Sequence, residues 1–373
     1  MKKNILSIVC FFALILAMSL PGCKDEEQNV VITGVTLNKT EIILIKGNSE
    51  TLTTTITPAE VDNNALTWAS NKPSIAEVDA NGKVTAISAG TATITATSVN
   101  GIKGTCTVTV EDIKKVLISK GTFFMGSPES EPDRSDQNKE TRHQVTLTKD
   151  FWMSIYTITN AQYAAFLNAN GIGSQAIAKV GNYGNQTLLV ASSGSSDWGL
   201  HWNTSKWEPA TSYENHPVIN VTWYGATAYA EWIGGSLPTE AQWEYACRAG
   251  TTTAYSFGAN TSNMENYAWY RGNATTPYGT RAVGLKSPNT WGLYDMHGNV
   301  YEWCADWFDK GYGNNSANAT DPTGATSGTN RVIRGGCFSD YAKDCRSAHR
   351  DSWIPNIVSE INYGIGFRVV FAP

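Results

Sequence analysis

The chain has 373 residues, of which 41% are hydrophobic, 11% aromatic and 16% charged. This aromatic content excludes a disordered chain, and the length allows two or three domains. The formal net charge is −5, and no cluster of Lys and Arg is present to neutralise phosphates, which excludes nucleic-acid binding.

The first residues carry the pattern of a secretion signal. Two lysines precede an apolar stretch from Ile5 to Leu20, which is short for a membrane-spanning helix. The stretch ends in Leu-Pro-Gly-Cys, which resembles a bacterial lipobox; the alternative is a cleaved signal with an incidental cysteine. Removal of residues 1–22 would leave Cys23 as the lipid-bearing N-terminus, followed by an acidic linker over 23–29. Its run Lys24-Asp25-Glu26-Glu27 resembles the surface-export signal of some bacterial lipoproteins, the alternative being a solvated linker. We therefore expect a protein held at the bacterial outer membrane or cell surface by its lipid.

Short segments within residues 30–112 alternate apolar and polar residues with the period of two that is typical of β-strands. Turn signals such as Asn81-Gly82 separate them. The pattern predicts an antiparallel sandwich with Cys106 as a buried core thiol, and the region resembles the group-2 bacterial immunoglobulin-like domain, which often acts as a spacer on surface proteins. The predicted strands are Val35–Leu37, Leu52–Ile56, Leu66–Trp68, Ile75–Val78, Ala92–Ala96 and Cys106–Val110.

Three helices are predicted in the remainder of the chain from their N-terminal caps. They begin after Thr159, Thr222 and Thr239, and the first and third caps have a Gln three residues later, as in a capping box. Long stretches of Gly, Asn, Ser and Thr, notably 170–215 and 251–290, have no period, and loops of this length are usually functional or tied down. The few predicted strands are Gln144–Leu147, Arg331–Arg334 and Phe367–Phe371.

Five sequence blocks in this region resemble a single family and occur in the correct order. They are similar to blocks of the formylglycine-generating enzyme, or sulfatase-modifying factor, family over residues 115–373. The resemblance implies an irregular α+β domain related to C-type lectins. The predicted fold is therefore multidomain, with an all-β immunoglobulin-like sandwich followed by this α+β domain. The blocks are Phe124–Ser127, 217–250, 292–303, Arg334–Gly336 and Gly366–Arg368.

The resemblance also implies an active site that this sequence matches incompletely. Enzymes of the family use oxygen to oxidise a sulfatase cysteine to formylglycine, through two copper-binding cysteines spaced Cys-x4-Cys after Gly-Gly-Ser. Counting from Gly335-Gly336 places Asp340 on the first position and Cys345 on the second. Counting back from Arg350 leaves neither position a cysteine. Since a carboxylate is a poor Cu(I) ligand, we expect no copper; an oxidase acting through Cys345 is the alternative.

Other cysteines are expected to have structural roles. In the family's extracytoplasmic enzymes, the cysteine matching Cys247 is bonded to one near the position of Cys345, which implies a Cys247–Cys345 disulfide. Cys304 and Cys337 are a second candidate pair. Thiols outside the cytoplasm tend to pair.

The third block, residues 292–303, also implies a calcium site. In the family, the positions matching Asp295, Gly298, Val300 and Glu302 hold a calcium ion. Two carboxylates with main-chain carbonyls between them are ligands that calcium accepts. The alternative is that both carboxylates accept backbone N–H bonds in a tight loop. The five histidines form no zinc motif.

The expected function is that of a calcium-supported binding module for an unnamed protein, peptide or glycan. A looser resemblance to variable ligand-display proteins of the same fold implies that Phe338–Asp344 and Asp351–Tyr363 line the ligand site. A second candidate surface consists of three tryptophans, the alternative being that they pack under their loop. They are Trp198, Trp202 and Trp207.

Overall fold

The fold is that of a computed structural model. The predicted signal, Cys23 and the acidic linker lie outside the residues that it describes. Within those residues, no helix combines the length and the apolarity that crossing a membrane requires. The described residues are 31–59, 66–111, 113–134, 139–178, 183–190, 199–274, 276–311, 319–356 and 364–373.

The first domain consists of β-strands and turns. Strands β2, β9, β8 and β5 form one sheet in that order, β3, β7 and β6 form a second sheet, and β1 pairs with β4. This confirms the predicted all-β domain, but β2 pairs with β9 in parallel, whereas an antiparallel sandwich was predicted. The strands are β1 (Gly34–Leu37), β2 (Glu41–Ile45), β3 (Ser49–Thr51), β4 (Thr54–Thr57), β5 (Leu66–Ser70), β6 (Ala76–Val78), β7 (Lys83–Ala86), β8 (Gly90–Ser98) and β9 (Lys103–Glu111).

The longest strand pair of this domain places alternate residues in its core. β8 and β9 are antiparallel, and Ile94 pairs with Cys106 in their register. Both side chains are completely buried, so the prediction that Cys106 is a core thiol is confirmed. Gly82 has a φ of +78°, and a Cβ there would lie 2.5 Å from the Leu52 carbonyl oxygen. Only glycine therefore fits this turn.

The second domain contains the three predicted helices. Thr159 and Thr239 each form a capping box with the Gln three residues later, and the Thr222 side chain accepts a hydrogen bond from Gly225 N. The caps are local contacts, and all three are confirmed. The described helices are α1 (Asn160–Ala169), α2 (Trp223–Trp232), α3 (Glu240–Arg248) and the single-turn α4 (Met264–Tyr267).

The strands of the second domain form four small sheets. Their orders are β19-β18-β16-β20, β10-β13-β21, β11-β12-β17 and β14-β15. The strand predicted at Phe367–Phe371 is shorter, because Val369 N donates to Ser154 Oγ. The strands are β10 (Lys115–Ile118), β11 (Gly121–Met125), β12 (His143–Leu147), β13 (Phe151–Ser154), β14 (Leu200–Trp202), β15 (Trp207–Pro209), β16 (Tyr301–Trp307), β17 (Ala319–Thr320), β18 (Arg331–Arg334), β19 (Asp351–Trp353), β20 (Ile365–Gly366) and β21 (Val370–Phe371).

Two aromatic-rich cores flank the central strand β16. Trp303 belongs to the core of α1 and α2, together with Tyr163 and Tyr229. The next residue, Cys304, belongs to the core beneath α3, together with Trp243. Because side chains alternate along a strand, β16 separates the two cores, and Glu302 lies on the Cys304 side, where Trp243 Nε1 donates to it.

Candidate functional site

The loop that follows β18 begins with two glycines in a left-handed conformation. Gly335 and Gly336 have φ angles of +97° and +70°. A Cβ on Gly336 would lie 2.7 Å from Cys345 Sγ and 2.9 Å from the Asp344 carbonyl oxygen. The beginning of this Gly-Gly loop, residues 335–345, therefore packs directly on its end.

Asp340 shapes the middle of the Gly-Gly loop. Its Oδ2 accepts a hydrogen bond from Cys337 N at 2.9 Å, and its own N donates to the Cys337 carbonyl oxygen at 3.0 Å. Arg271 N donates to the Asp340 carbonyl oxygen at 2.9 Å. Asp340, at the first predicted catalytic position, thus closes a turn by bonding to the main chain of Cys337.

Cys345 lies at the end of a 3-10 turn over Ala342–Cys345 and is completely buried. Its thiol lies 3.7 Å from the Tyr341 carbonyl oxygen. Burial and the nearby charge of Asp340 raise the pKa of this thiol well above its ordinary value. Since the thiolate is the nucleophile, burial disfavours a nucleophilic role for Cys345.

The predicted Cys247–Cys345 disulfide is not formed, because both residues are free thiols. The Cys247 thiol faces Ser347 Oγ at 3.7 Å and His297 Nε2 at 3.8 Å. His297 Nδ1 in turn lies 2.9 Å from the Cys345 carbonyl oxygen. The His297 ring thus connects α3 to the Gly-Gly loop where the prediction had a covalent bond. Burial raises the pKa of Cys247 to about 12 and lowers that of His297 to about 4.

The second candidate pair, Cys304 and Cys337, also consists of free thiols. The two residues belong to different cores, Cys304 beneath α3 and Cys337 beside Phe338. Cys337 Sγ lies 3.1 Å from Ser339 Oγ, and burial raises the pKa of this thiol to about 12. This pairing is therefore wrong for the structure.

The segment predicted to hold calcium forms a tight loop before β16. A Cβ on Gly298 would lie 2.3 Å from the Trp269 carbonyl oxygen. Asp295 Oδ2 accepts from Gly284 N at 2.8 Å, whereas its buried Oδ1 has no hydrogen-bond partner. Burial raises the pKa of Asp295 to about 6. A buried carboxylate oxygen without a donor is suited to a cation.

Glu302, the second predicted carboxylate ligand, already has partners. Its oxygens accept from Arg368 Nε at 2.6 Å and Nη2 at 2.8 Å, and Trp243 Nε1 donates to Oε2 at 2.8 Å. Oε1 retains a free lone pair. Among the described residues, no three His, Cys, Asp or Glu side chains form a metal cluster. The predicted set therefore offers one buried carboxylate oxygen without a donor, Asp295 Oδ1, and one carboxylate that Arg368 already neutralises.

An open pocket of about 530 Å³ lies on the outer side of the Gly-Gly loop. The Arg271 guanidinium stacks on the Tyr341 ring at 4.8 Å, and Tyr341 is 57% exposed. Beneath the pocket, Tyr270 packs in the cluster that contains Cys345. The pocket thus presents aromatic surface, two cations and one carboxylate. Its lining residues are Asp133, Tyr270, Arg271, Gly272, Tyr341, Ala342 and Lys343.

Only part of the predicted ligand-lining segments reaches this pocket. Tyr341 to Lys343 line it, but Phe338 is 1% exposed and packs edge-on against Tyr278 at 5.2 Å. In the second segment, Asp351–Trp353 form β19 against β18. Residues 357–363 lie outside the described residues. The pocket therefore depends on the first segment and on the 270–272 turn.

Of the three tryptophans considered as a candidate surface, the structure describes Trp202 and Trp207. Trp207 is 1% exposed, and its Nε1 donates to the Ile172 carbonyl oxygen at 3.0 Å. Trp202 packs edge-on against Trp207 at 5.8 Å. Trp198 lies outside the described residues. The alternative of packing beneath the loop is thus confirmed for Trp207.

Comparison with known proteins assigns a family to each region. The sulfatase-modifying factor enzyme 1-like domain matches residues 105–373, and the bacterial Ig-like domain (group 2) matches residues 31–110. The chain belongs to the sulfatase-modifying factor family. The predicted family and the predicted fold of both domains are confirmed.

Relatives of this sulfatase-modifying factor domain have different names. The chain is 32% identical over 294 residues to the formylglycine-generating enzyme of Streptomyces coelicolor, covering 68% of this chain and 88% of that enzyme. It is 36% identical over 255 residues to the serine/threonine-protein kinase pkn1 of Chlamydia pneumoniae, covering 68% of this chain but only 37% of the kinase. The solved structure of PvdO from Pseudomonas aeruginosa matches with a TM-score of 0.55 and 26% identity, over 69% of this chain and 94% of that one.

A buried ion-pair network in the sulfatase-modifying factor domain was missed by the sequence analysis. Arg346 pairs with Glu131 at 2.7 Å and with Glu140 at 2.8 Å, and Arg350 pairs with Glu240 at 2.6 Å. No side chain in these pairs is more than 5% exposed. The available signal was the concentration of arginines after Gly335-Gly336 in a chain that is otherwise poor in charge.

The network also explains why distant sequence blocks occur together. Glu244 of α3 accepts hydrogen bonds from Arg334, from Arg248 Nε at 2.8 Å and from Gly126 N at 2.8 Å. Three of the blocks therefore meet at one buried carboxylate. These residues position the Gly-Gly loop and do not line the pocket.

Proposed function

We propose that the chain is a lipid-anchored cell-surface protein whose C-terminal domain binds a ligand and does not oxidise cysteine. The observation that carries the proposal is the Gly-Gly loop. In the register counted from Gly335-Gly336, the loop has Asp340 in place of the first catalytic cysteine, and an open pocket lies on its outer side.

The thiols near the loop do not suit copper chemistry. Cu(I) prefers soft thiolate ligands, whereas Asp340 provides a hard carboxylate. Cys337 and Cys345 are both buried with raised pKa values, which disfavours their thiolates. Because Asp340 stands where the first cysteine would be, the loop offers no Cys-x4-Cys pair, which favours the binding module over the alternative, a sulfatase-modifying oxidase.

The pocket has the composition of a recognition site. Tyr and Arg are enriched where proteins bind their partners, and Arg271 holds the exposed Tyr341 ring in place by stacking. The two positive charges of Arg271 and Lys343 outnumber the one negative charge of Asp133 in the pocket lining. The proposed ligand is therefore a protein, peptide or glycan with an acidic group.

We propose calcium as the structural ion of this module. Asp295, Gly298, Val300 and Glu302 would hold it, and the ion would add positive charge beside the buried Asp295 carboxylate, on which Arg368 also acts. The unpartnered Asp295 Oδ1 supports this proposal. Because calcium accepts carboxylate and carbonyl oxygens together, Glu302 can keep its bonds to Arg368.

Attachment to the membrane through the lipid on Cys23 completes the proposal. Several acyl chains on one cysteine suffice for stable attachment. The immunoglobulin-like domain would then hold the binding domain away from the outer membrane.

The anchor is tested by growing cells with labelled palmitate. We expect the label in the wild-type chain and none in Cys23→Ala. Equal labelling of both chains contradicts the anchor.

The oxidase alternative is tested by incubating the chain with copper and a cysteine-containing sulfatase peptide. We expect no aldehyde, which mass spectrometry of the peptide would detect. Aldehyde that forms in the wild type and disappears in Cys345→Ala would overturn the binding proposal.

The binding proposal is tested by selecting ligands for the wild-type chain from a glycan array and a displayed peptide library. Selected ligands should lose binding to Arg271→Ala. The matched control is Arg142→Ala, which removes an arginine stacked at 4.3 Å on another exposed ring, that of Phe124. Equal binding by all three proteins would rule out the pocket.

A further inference from the structure

A second concave site lies between the two domains. It is a cleft of about 330 Å³, lined from the first domain by Ile45 and Asn48. The second domain contributes Tyr156, Thr157, Asn215 and Leu285, among others. Small-molecule sites occupy about 300–1,000 Å³ and occur preferentially at domain interfaces. This cleft is at the lower end of that range and therefore suits a small ligand.

The cleft is preformed because the domains are in close contact beside it. Gly47, in the turn after β2, has a φ of +89°, and a Cβ there would lie 2.9 Å from Gln162 Cα of α1. Lys46 Nζ lies 3.3 Å from the centre of the Trp232 ring. Between the domains, Ile113 is buried in the second domain's core and the Lys114 carbonyl accepts from Ile155 N.

Two residues of the cleft carry buried polar atoms without partners. These atoms are Asn48 Oδ1 and Thr157 Oγ1, and Thr157 is only 1% exposed. Asn48 is held by its backbone, since its N donates to the Ile45 carbonyl and its carbonyl accepts from Ala86 N. Its Oδ1 thus stays without a partner in a residue that lines the cleft. Buried polar atoms are nearly always satisfied in native proteins, so their presence here points to a hydrogen-bonding ligand.

The remaining lining indicates the chemistry of that ligand. Asn215 brings a further amide, and the Tyr156 ring brings an aromatic surface. Among the described lining residues, Lys114 is the one cation, it is exposed, and there is no carboxylate. A ligand that combines several hydroxyl groups with an apolar face and no net charge matches this set.

We propose that the cleft binds one or two sugar units at the end of a neutral saccharide. Hydroxyl groups of the sugar would satisfy Asn48 and Thr157, while the Tyr156 ring packs against the apolar face of a sugar ring. The site is separate from the pocket at the Gly-Gly loop and does not depend on the function proposed for that pocket.

The test uses the full chain in a detergent without a sugar headgroup. Saturation-transfer NMR is recorded with cellobiose, lactose, maltose and N,N′-diacetylchitobiose at millimolar concentration. We expect binding of at least one disaccharide, an affinity about tenfold lower in Thr157→Val, and retention in Thr157→Ser, which keeps the hydroxyl. The matched control Thr91→Val changes an exposed strand residue and should bind like the wild type.

Three outcomes would overturn the proposal. The first is that none of the four sugars binds, which indicates that only water fills the cleft. The second is that Thr157→Val binds as well as the wild type while folding normally by thermal melting. The third is that Arg271→Ala abolishes sugar binding, which would place the sugar in the Gly-Gly loop pocket instead.

Discussion

The ion pair between Arg368 and Glu302 should contribute strongly to the stability of the second domain. Both side chains are fully buried. Glu302→Gln keeps the shape of the side chain but leaves the Arg368 cation without its counter-charge. Breaking a buried pair by removing one partner costs about 3–5 kcal/mol. For a domain of this size, each kcal/mol lowers Tm by about 2–4 °C, so we expect a decrease of about 6–20 °C.

Tryptophan fluorescence provides the assay, because Trp68 is the one tryptophan before residue 115 and the others report the second domain. Melting is measured with a chelator present, so that loss of calcium does not contribute. Arg368→Met should also destabilise the domain, and the double variant should lose less than the sum of the two single variants, since no unpaired charge remains. A shift below about 2 °C for Glu302→Gln, or strictly additive losses, would refute this reasoning.

Three further predictions concern calcium, pH and the domain contact. A chelator should lower the Tm of the wild type but not of Asp295→Asn; equal decreases contradict the calcium site. Burial and the charge of Glu240 raise the pKa of Asp306 to about 7. The stability of the wild type relative to Asp306→Asn should therefore fall as pH rises from about 4 to about 7. A difference in Tm between the two proteins that stays constant over this range contradicts the prediction. Gly47→Ala should loosen the domain contact at a cost of roughly 1–2 kcal/mol, with faster proteolysis between the domains; unchanged cleavage would contradict it.

Local sequence signals predicted the elements that depend on local contacts. The three N-caps use side chains within three residues of the helix start, and such bonds can be recognised in the sequence. The strand β2 was missed because Ile42, Ile43 and Leu44 form an apolar run without alternation. Its middle residue, Ile43, is 66% exposed. The sequence cannot tell that an apolar side chain lies on the outer face of an edge strand.

The geometry of the candidate site was less predictable. The count along the Gly-Gly loop identified Asp340 and Cys345, but not that Asp340 bonds to Cys337 N or that His297 lies between Cys247 and the Cys345 carbonyl. The direction of a side chain depends on the packing around it. A cysteine spacing alone therefore does not determine a disulfide.

The buried arginines explain why the family's sequence blocks can persist without thiol chemistry. Besides its bonds to Glu302, Arg368 donates to the Tyr294 carbonyl at 2.8 Å and the Ser154 carbonyl at 3.1 Å. Arg350 likewise donates to the Lys139 carbonyl at 2.9 Å. A guanidinium has five donors in a fixed plane, so each arginine satisfies carbonyls in loops and at strand ends, and its glutamate neutralises the charge. These contacts are independent of any catalytic cysteine, and the fold can therefore be retained while the activity changes.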